Sequence, residues 1–166
     1  MARKKDKQKK KDAKASSKGD SRTILATNRR ARRNYVISHT IEAGLSLLGS
    51  EVKSLRQSTP TIAEGYARIK DGELWLEGVN ILPLPQASYH NHEPTRSRKC
   101  LVHKKELTKI IHQLDAKGAT LVPLQMYFLG SRVKIELGLG HGRRKGDKRE
   151  YEKAKADRRE IREAKL

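Results

Sequence analysis

Aromatic side chains are scarce in this chain, with five Tyr, one Phe and one Trp among 166 residues. That is too few for a series of base-stacking platforms, so single-strand binding by stacking is disfavoured. The single cysteine, Cys100, excludes an internal disulfide and a Cys-rich metal site and fits a reducing compartment. No apolar run reaches the roughly 18 residues of a membrane span. The basic N-terminus also lacks the apolar segment of a secretory signal, so a soluble, cytoplasmic protein is expected. Catalytic signatures are missing as well: there is no GxSxG, no HExxH, no Gly-Lys-Ser/Thr phosphate loop and no Cys/His pairing in a recognised context. The glycine-rich Gly138-Leu139-Gly140-His141-Gly142 follows a strand pattern and enters a basic tail, unlike a phosphate loop. His90 and His92 have neither a Cys partner nor a suitably spaced third ligand. No catalytic residue, metal ligand or cofactor is therefore assigned.

What the chain has in excess is positive charge, a formal +19. Sixteen of those charges lie outside residues 34–140, whose thirteen basic and ten acidic groups nearly cancel. A nearly neutral body with basic arms points to a polyphosphate partner. Residues 1–20 hold no large apolar side chain beyond Met1 and are expected to be disordered; they read either as a solubility tail or as a nonspecific RNA-binding one. Asn28-Arg29-Arg30-Ala31-Arg32-Arg33 differs, because attachment to a folded strand fixes where the guanidiniums reach. These arginines are candidate phosphate contacts.

The organising stretch is Tyr35–Gln57, which opens with Tyr35, Ile37, His39, Ile41, Ala43, Leu45 and Leu47 alternating with the residues between them, through Leu48, in the period of a long strand. Gly44 permits a bend or a close approach there. A short helix follows, N-capped by Ser50, with Val52 and Leu55 inward and Lys53 and Arg56 outward. Tyr66–Lys70 and Glu73–Glu77 read as a hairpin across Asp71-Gly72, a link that favours a type I′ turn. Trp75 fits a strand residue better than a stacking platform. Val79–Leu84 reads as a further strand, and Gln86–Lys99 as a long polar loop of the kind that carries function or moves.

Leu107, Ile110, Ile111 and Leu114 form one apolar stripe of a helix that Gly118 ends. Leu121–Phe128 and Val133–Leu139 read as two strands joined at Gly130-Ser131. The expected fold is mainly β with short helices, an antiparallel barrel of the oligonucleotide-binding (OB) type with flexible basic tails at both ends. Residues 141–166 favour helix by propensity but are poor in apolar side chains, so they read either as a frayed tail or as one that becomes helical on a partner. Glu42, opposite the apolar set, is either a solvated carboxylate or an acceptor for a base or ribose.

The segments NRRARRNY (28–35), EAGLSLLGSEVKSLR (42–56), DGELWL (71–76), NHEPTRSRKCLVHKKEL (91–107), KGATLVPLQMY (117–127) and GRRKGDKRE (142–150) together resemble the small protein B family, in the same order over residues 28–150. The resemblance implies a division into a disordered basic tail (1–27), an OB-type RNA-binding barrel (28–140) and a basic tail (141–166) that becomes helical on the ribosome. It implies a non-enzymatic adaptor that holds the tRNA-like domain of transfer-messenger RNA (tmRNA) and brings it to the empty A site of a stalled ribosome in trans-translation. Alanyl-tRNA synthetase and elongation factor Tu would be indirect partners through that RNA.

Carried over by motif, Glu42, Leu101 and His103 would face the RNA, helped by Asn28, Arg29, Arg30, Arg33, Lys53, Arg56, Arg98 and Lys99. Gly142, Arg143, Arg144, Lys145, Asp147, Lys148 and Arg149 would open the ribosome-reading tail, which would contact small-subunit rRNA at the decoding centre and enter the vacant mRNA channel. The chain departs from the family at Arg33, often His, at Ser58-Thr59 for Gly-Lys, at Cys100 for Leu, at His103 where Asn also occurs, and at Gly146 for an aromatic or His. Two rival readings share the basic arms: a general RNA-binding or ribosome-associated structural protein, and an RNA-processing enzyme using Glu42 or a histidine.

Overall fold

The structure, a computed structural model, describes residues 22–85 and 91–163. Among the described residues seven strands run in the order β1 (Arg22–Thr27), β2 (Tyr35–Leu45), β3 (Tyr66–Lys70), β4 (Glu73–Glu77), β5 (Arg98–Leu101), β6 (Thr120–Leu129) and β7 (Arg132–Gly142), and four helices punctuate them: α1 (Ala31–Asn34), α2 (Gly49–Gln57), α3 (Lys104–Lys117) and α4 (Lys145–Glu163). All pairings are antiparallel, and they close on themselves: β6 pairs β3, then β4, β5, β2 and β7 follow in turn, and β7 returns to β6. The fold is thus the small antiparallel OB-type barrel expected, with β1 added beside β6.

Its interior is lined from both ends of the chain by Ile41, Ala43, Leu74, Leu76, Leu121, Met126, Ile135 and Leu137, all buried. Alternation along β2, β4 and β7, with a register shift in β6 between Leu121 and Met126, places these on one face, so their burial drives closure. Pro123 sits where the β6–β7 register shifts, the position at which a strand tolerates a residue without an N–H donor. Asp71 and Gly72 adopt φ of 53° and 71°, the two left-handed residues of the expected type I′ turn. Gly118, at φ 55°, closes α3 as its C-cap.

Several expectations are corrected. Arg22–Thr27, assigned to the N-terminal tail, form β1 through pairing with β6. The body therefore begins at Arg22, and it extends to Gly142, which pairs with Tyr35. The arm at 31–34 is a single helical turn. The long strand stops at Leu45, and a register shift between Ile37 and His39 turns His39 outward. Ser50 lies within α2, whose N-cap is Leu48; the Leu48 N–H is held by the Glu51 carboxylate at 2.7 Å.

Val79–Leu84 form no ladder. Val79, Ile81 and Leu84 are buried, but the extended chain is held by an isolated reciprocal pair of backbone bonds between Asn80 and Thr61 and by a bond from the Ile81 N–H to the Pro94 carbonyl. Arg98 and Lys99, placed in the loop, belong to β5. The expected disorder of residues 1–20 and the position of His90 lie outside the described residues.

Candidate nucleic-acid interface

Strand register divides the expected contact residues between two ends of the barrel. β2 runs from Tyr35, paired with Gly142, to Gly44, paired with Lys134. Seven residues separate Tyr35 from Glu42, about 23 Å at the ~3.3 Å rise of a strand. Glu42, Lys99, Leu101 and His103 therefore gather at one end, and Arg29, Arg30, Arg33 and the root of the tail at the other.

At the first end, Glu42, Gly44, Lys99, Leu101, His103 and Lys134 line an open cleft of about 650 Å³, completed by Glu73 and the start of α3. Leu101 projects from the last position of β5 with 54% of its surface exposed. Gly44, its pairing partner, has no side chain, so the two backbones meet with the Leu101 side chain directly above. A large apolar side chain held in the open beside cations suits the face of an unstacked base or a sugar.

Glu42 accepts hydrogen bonds from the Lys134 ammonium and from the Tyr127 phenol. The Lys134 bond, then the Tyr127 bond, hold its carboxyl below the ordinary value of 4.5, so it is ionised at neutral pH. Burial, then the bond to Glu42, pushes the Tyr127 phenol up to about 12. Lys99 is paired with Glu73. His103 is the exposed N-cap residue of α3. Lys53 and Arg56 are exposed on α2, with Arg56 bordering Thr23 and Gly130 at this same end.

Two expected RNA contacts are spent inside the protein. Arg98 has no exposed surface: Nε donates to Glu51 at 2.8 Å, and the remaining nitrogens donate to the carbonyls of Val79, Pro94 and Arg96. A guanidinium so enclosed cannot reach a phosphate. Asn28 is also buried, its carboxamide donating to the Pro123 carbonyl at 3.0 Å and accepting from the Ala31 N–H at 3.1 Å. It fixes the turn that aims the arginine arm.

At the far end, Arg29 and Arg30 are exposed, and Arg30 lies 3.9 Å from the equally open Glu64. Arg33 pairs with Glu152 of α4 at 2.6 Å. Gly142 ends β7, the Arg143 N–H donates to the Asn34 carbonyl at 2.7 Å, and the Arg143 guanidinium lies 4.7 Å from the centre of the Tyr151 ring. The Arg144 N–H donates to Asp147, so that carboxylate caps the helix opened by Lys145. Arg144 and Arg149 are exposed and Lys148 half-buried. α4 leaves the body after its second turn as a mostly exposed rod whose charges of both signs nearly balance. Cys100 is buried, which pushes its thiol up to about 12 and leaves it unreactive. Among the described residues no three His, Cys, Asp or Glu side chains converge as a metal site would need, and no helix is long and apolar enough to cross a membrane.

Sequence reasoning missed Tyr127, Lys134 and Arg22 around Glu42. The signal lay in strand pairing alone, since these residues come from β6, β7 and β1.

A small antiparallel barrel with an open cleft of mixed charge at one end and a projecting charged helix at the other defines an RNA-binding adaptor of the OB type. The family model described as SmpB protein matches residues 25–165, and the chain belongs to that family. It is 50% identical over 143 residues to the SsrA-binding protein of Microcystis aeruginosa, covering 86% of this chain and 93% of that protein. To the SsrA-binding protein of Synechococcus elongatus it is 46% identical over 142 residues, 85% of this chain and 92% of the relative. A solved structure from "tmRNA-SmpB: a journey to the center of the bacterial ribosome" is 44% identical with a TM-score of 0.62, covering 76% of this chain and 93% of that one.

Proposed function

We propose that this protein is the tmRNA-binding adaptor of trans-translation, a non-enzymatic RNA-binding protein that carries the tRNA-like domain of tmRNA into the A site of a stalled ribosome. The observation that carries this reading is the convergence of Glu42, Leu101 and His103 on one open cleft in a chain of the SmpB family. The carboxylate accepts from a base or ribose, Leu101 packs on an exposed sugar or base face, and Lys53, Arg56 and Lys99 neutralise phosphates. Arg29, Arg30 and Arg33 extend this cationic surface to the opposite end.

The root of α4, with Arg143, Arg144, Lys145, Lys148 and Arg149, meets small-subunit rRNA at the decoding centre, and the helix occupies the empty mRNA channel. Alanyl-tRNA synthetase and elongation factor Tu join through the RNA, and the setting is the cytoplasm. Sequencing the RNA that copurifies with the protein tests this reading: one dominant tmRNA is expected. Recovery of bulk rRNA without it, together with equal affinity for a tRNA-like fold and for random RNA of the same length, would overturn it.

A further inference from the structure

Tyr127 is a phenol on the outer wall of the barrel, yet only 2% of it is exposed. It lies between two charged groups from distant parts of the chain. The Arg22 guanidinium, from β1, stacks 3.8 Å above the ring centre and is itself anchored by Glu136 at 3.3 Å and by Gln125. The phenol oxygen donates to one carboxylate oxygen of Glu42, and Lys134 donates to the other. Register makes the chain of contacts contiguous: Ile24 of β1 faces Tyr127, Tyr127 faces Lys134 of β7, and Glu136 of β7 faces Glu42 of β2. Four neighbouring strands therefore converge on one carboxylate.

Fixing a glutamate that would otherwise sample several rotamers removes an entropic cost from any later binding step. Each carboxylate oxygen accepts one internal donor and keeps a second lone pair for an outside one. We infer that Tyr127 is a positioning residue for RNA recognition: with Lys134 it holds the Glu42 carboxylate in its RNA-accepting orientation, and Arg22 clamps the ring, making β1 part of the recognition surface. The inference rests on the reading above that Glu42 faces RNA.

The test is filter binding of the full chain to a tRNA-like RNA and to random RNA of equal length, across a salt series. Tyr127→Phe keeps the ring under Arg22 and removes only the hydroxyl. It is expected to weaken binding of the tRNA-like RNA about tenfold, in keeping with loss of one charge-assisted hydrogen bond. Binding of random RNA and the salt slope, which counts phosphate contacts, are expected to stay unchanged. In a Glu42→Gln background the same substitution is expected to add no loss, since the carboxylate it positions is gone.

Arg22→Met is expected to give a smaller loss with the same dependence on background. Equal losses in both backgrounds, or on both RNAs, would make Tyr127 merely structural and overturn the inference. Should Tyr127→Phe fold poorly, Lys134→Met removes the other donor from an accessible position, and its loss must likewise vanish in the Glu42→Gln background. A Glu42→Gln variant that binds like wild type sinks this inference alone, while a wild type without preference for the tRNA-like RNA sinks the proposed function with it.

Discussion

The guanidinium of Arg98 and the carboxylate of Glu51 meet at 2.8 Å with neither residue exposed to solvent. Arg96 adds contacts of 2.9 and 2.5 Å to the same carboxylate, and the Leu48 N–H completes its shell. Beside it, His92 bridges Ser50 and the Ile81 carbonyl at 3.1 Å each. These contacts bolt α2 to the segment before β5, and β5 carries Leu101 to the cleft. The two most recognisable stretches of the sequence, around Glu51 and from Asn91 to Lys99, are thus partners in one buried polar lock.

Removing one member of such a pair leaves the other charged and unsatisfied in the interior. Glu51→Ala is expected to cost about 3–5 kcal/mol of folding stability. Urea unfolding followed by circular dichroism measures it, and a loss below about 1 kcal/mol, the range of exposed pairs, would contradict the lock.

Acid should act on the same group. Burial, the largest single influence on Glu51, raises its pKa, but the bonds from Arg96, Leu48 and Arg98 together outweigh it, leaving the folded value below the ordinary 4.5. A lowered folded pKa means stability that is fully present above about 4.5 and is lost as pH falls through the folded value. The stability gap between wild type and Glu51→Gln is therefore expected to be constant near neutrality and to shrink below pH ~4.5. A gap that widens on acidification would reverse the sign and refute the assignment.

Much of the barrel could be read from the chain because its signals are local. The Asp71-Gly72 turn, the apolar stripe of α3 ended by Gly118, and the alternation at the start of β7 all follow from neighbours in sequence, whereas β6 is buried on both faces and its period is broken by the shift after Pro123. β1 was illegible because Arg22–Thr27 becomes a strand only by pairing with residues 125–129, with a register shift that breaks its pattern. Arg98 was misread for the same reason: an arginine in a basic run looks solvent-facing until Glu51, 47 positions earlier, is folded against it. The cleft was half legible, since Glu42, Leu101 and His103 were identified by motif but their supports by no sequence pattern.

The first and last positions of β5, Arg98 and Leu101, should separate cleanly. Leu101 is exposed, so Leu101→Ala is expected to change stability by less than about 0.5 kcal/mol. Burying a leucine against a partner contributes about 1.5–3 kcal/mol, so RNA affinity should fall about tenfold or more. Arg98→Met should show the converse, a large stability loss with affinity altered only as far as the fold is. Parallel melting curves and filter binding decide between this pattern and its opposite.

Exposed cations on α2 should act through charge alone. Lys53→Ala is expected to weaken binding to tRNA-like and random RNA by similar factors and to reduce the salt slope by about 1, the signature of one phosphate contact. An unchanged slope would remove Lys53 from the interface.

The tail tests whether the two ends do separate work. α4 is tied to the body by the Arg33–Glu152 pair, both side chains about half exposed, and by the Arg143–Tyr151 contact. An exposed pair contributes about 0–1 kcal/mol and a surface cation–π contact about 0.5–1 kcal/mol. Their sum, at most about 2 kcal/mol, shifts a docked–undocked equilibrium by no more than about thirtyfold, so a second surface of modest affinity can lift the helix away. The cut must respect β7, because Gly142 pairs with Tyr35 and the Arg143 N–H holds Asn34. Removing residues 145–166 is therefore expected to leave the melting temperature and the affinity for tRNA-like RNA within about threefold of wild type (under ~0.7 kcal/mol), while peptide tagging on stalled ribosomes is abolished. Removing 141–166 strips the end of β7 and should lower the melting temperature as well. If the shorter deletion loses RNA binding and tagging together, recognition and rescue are not divided between the ends of the barrel.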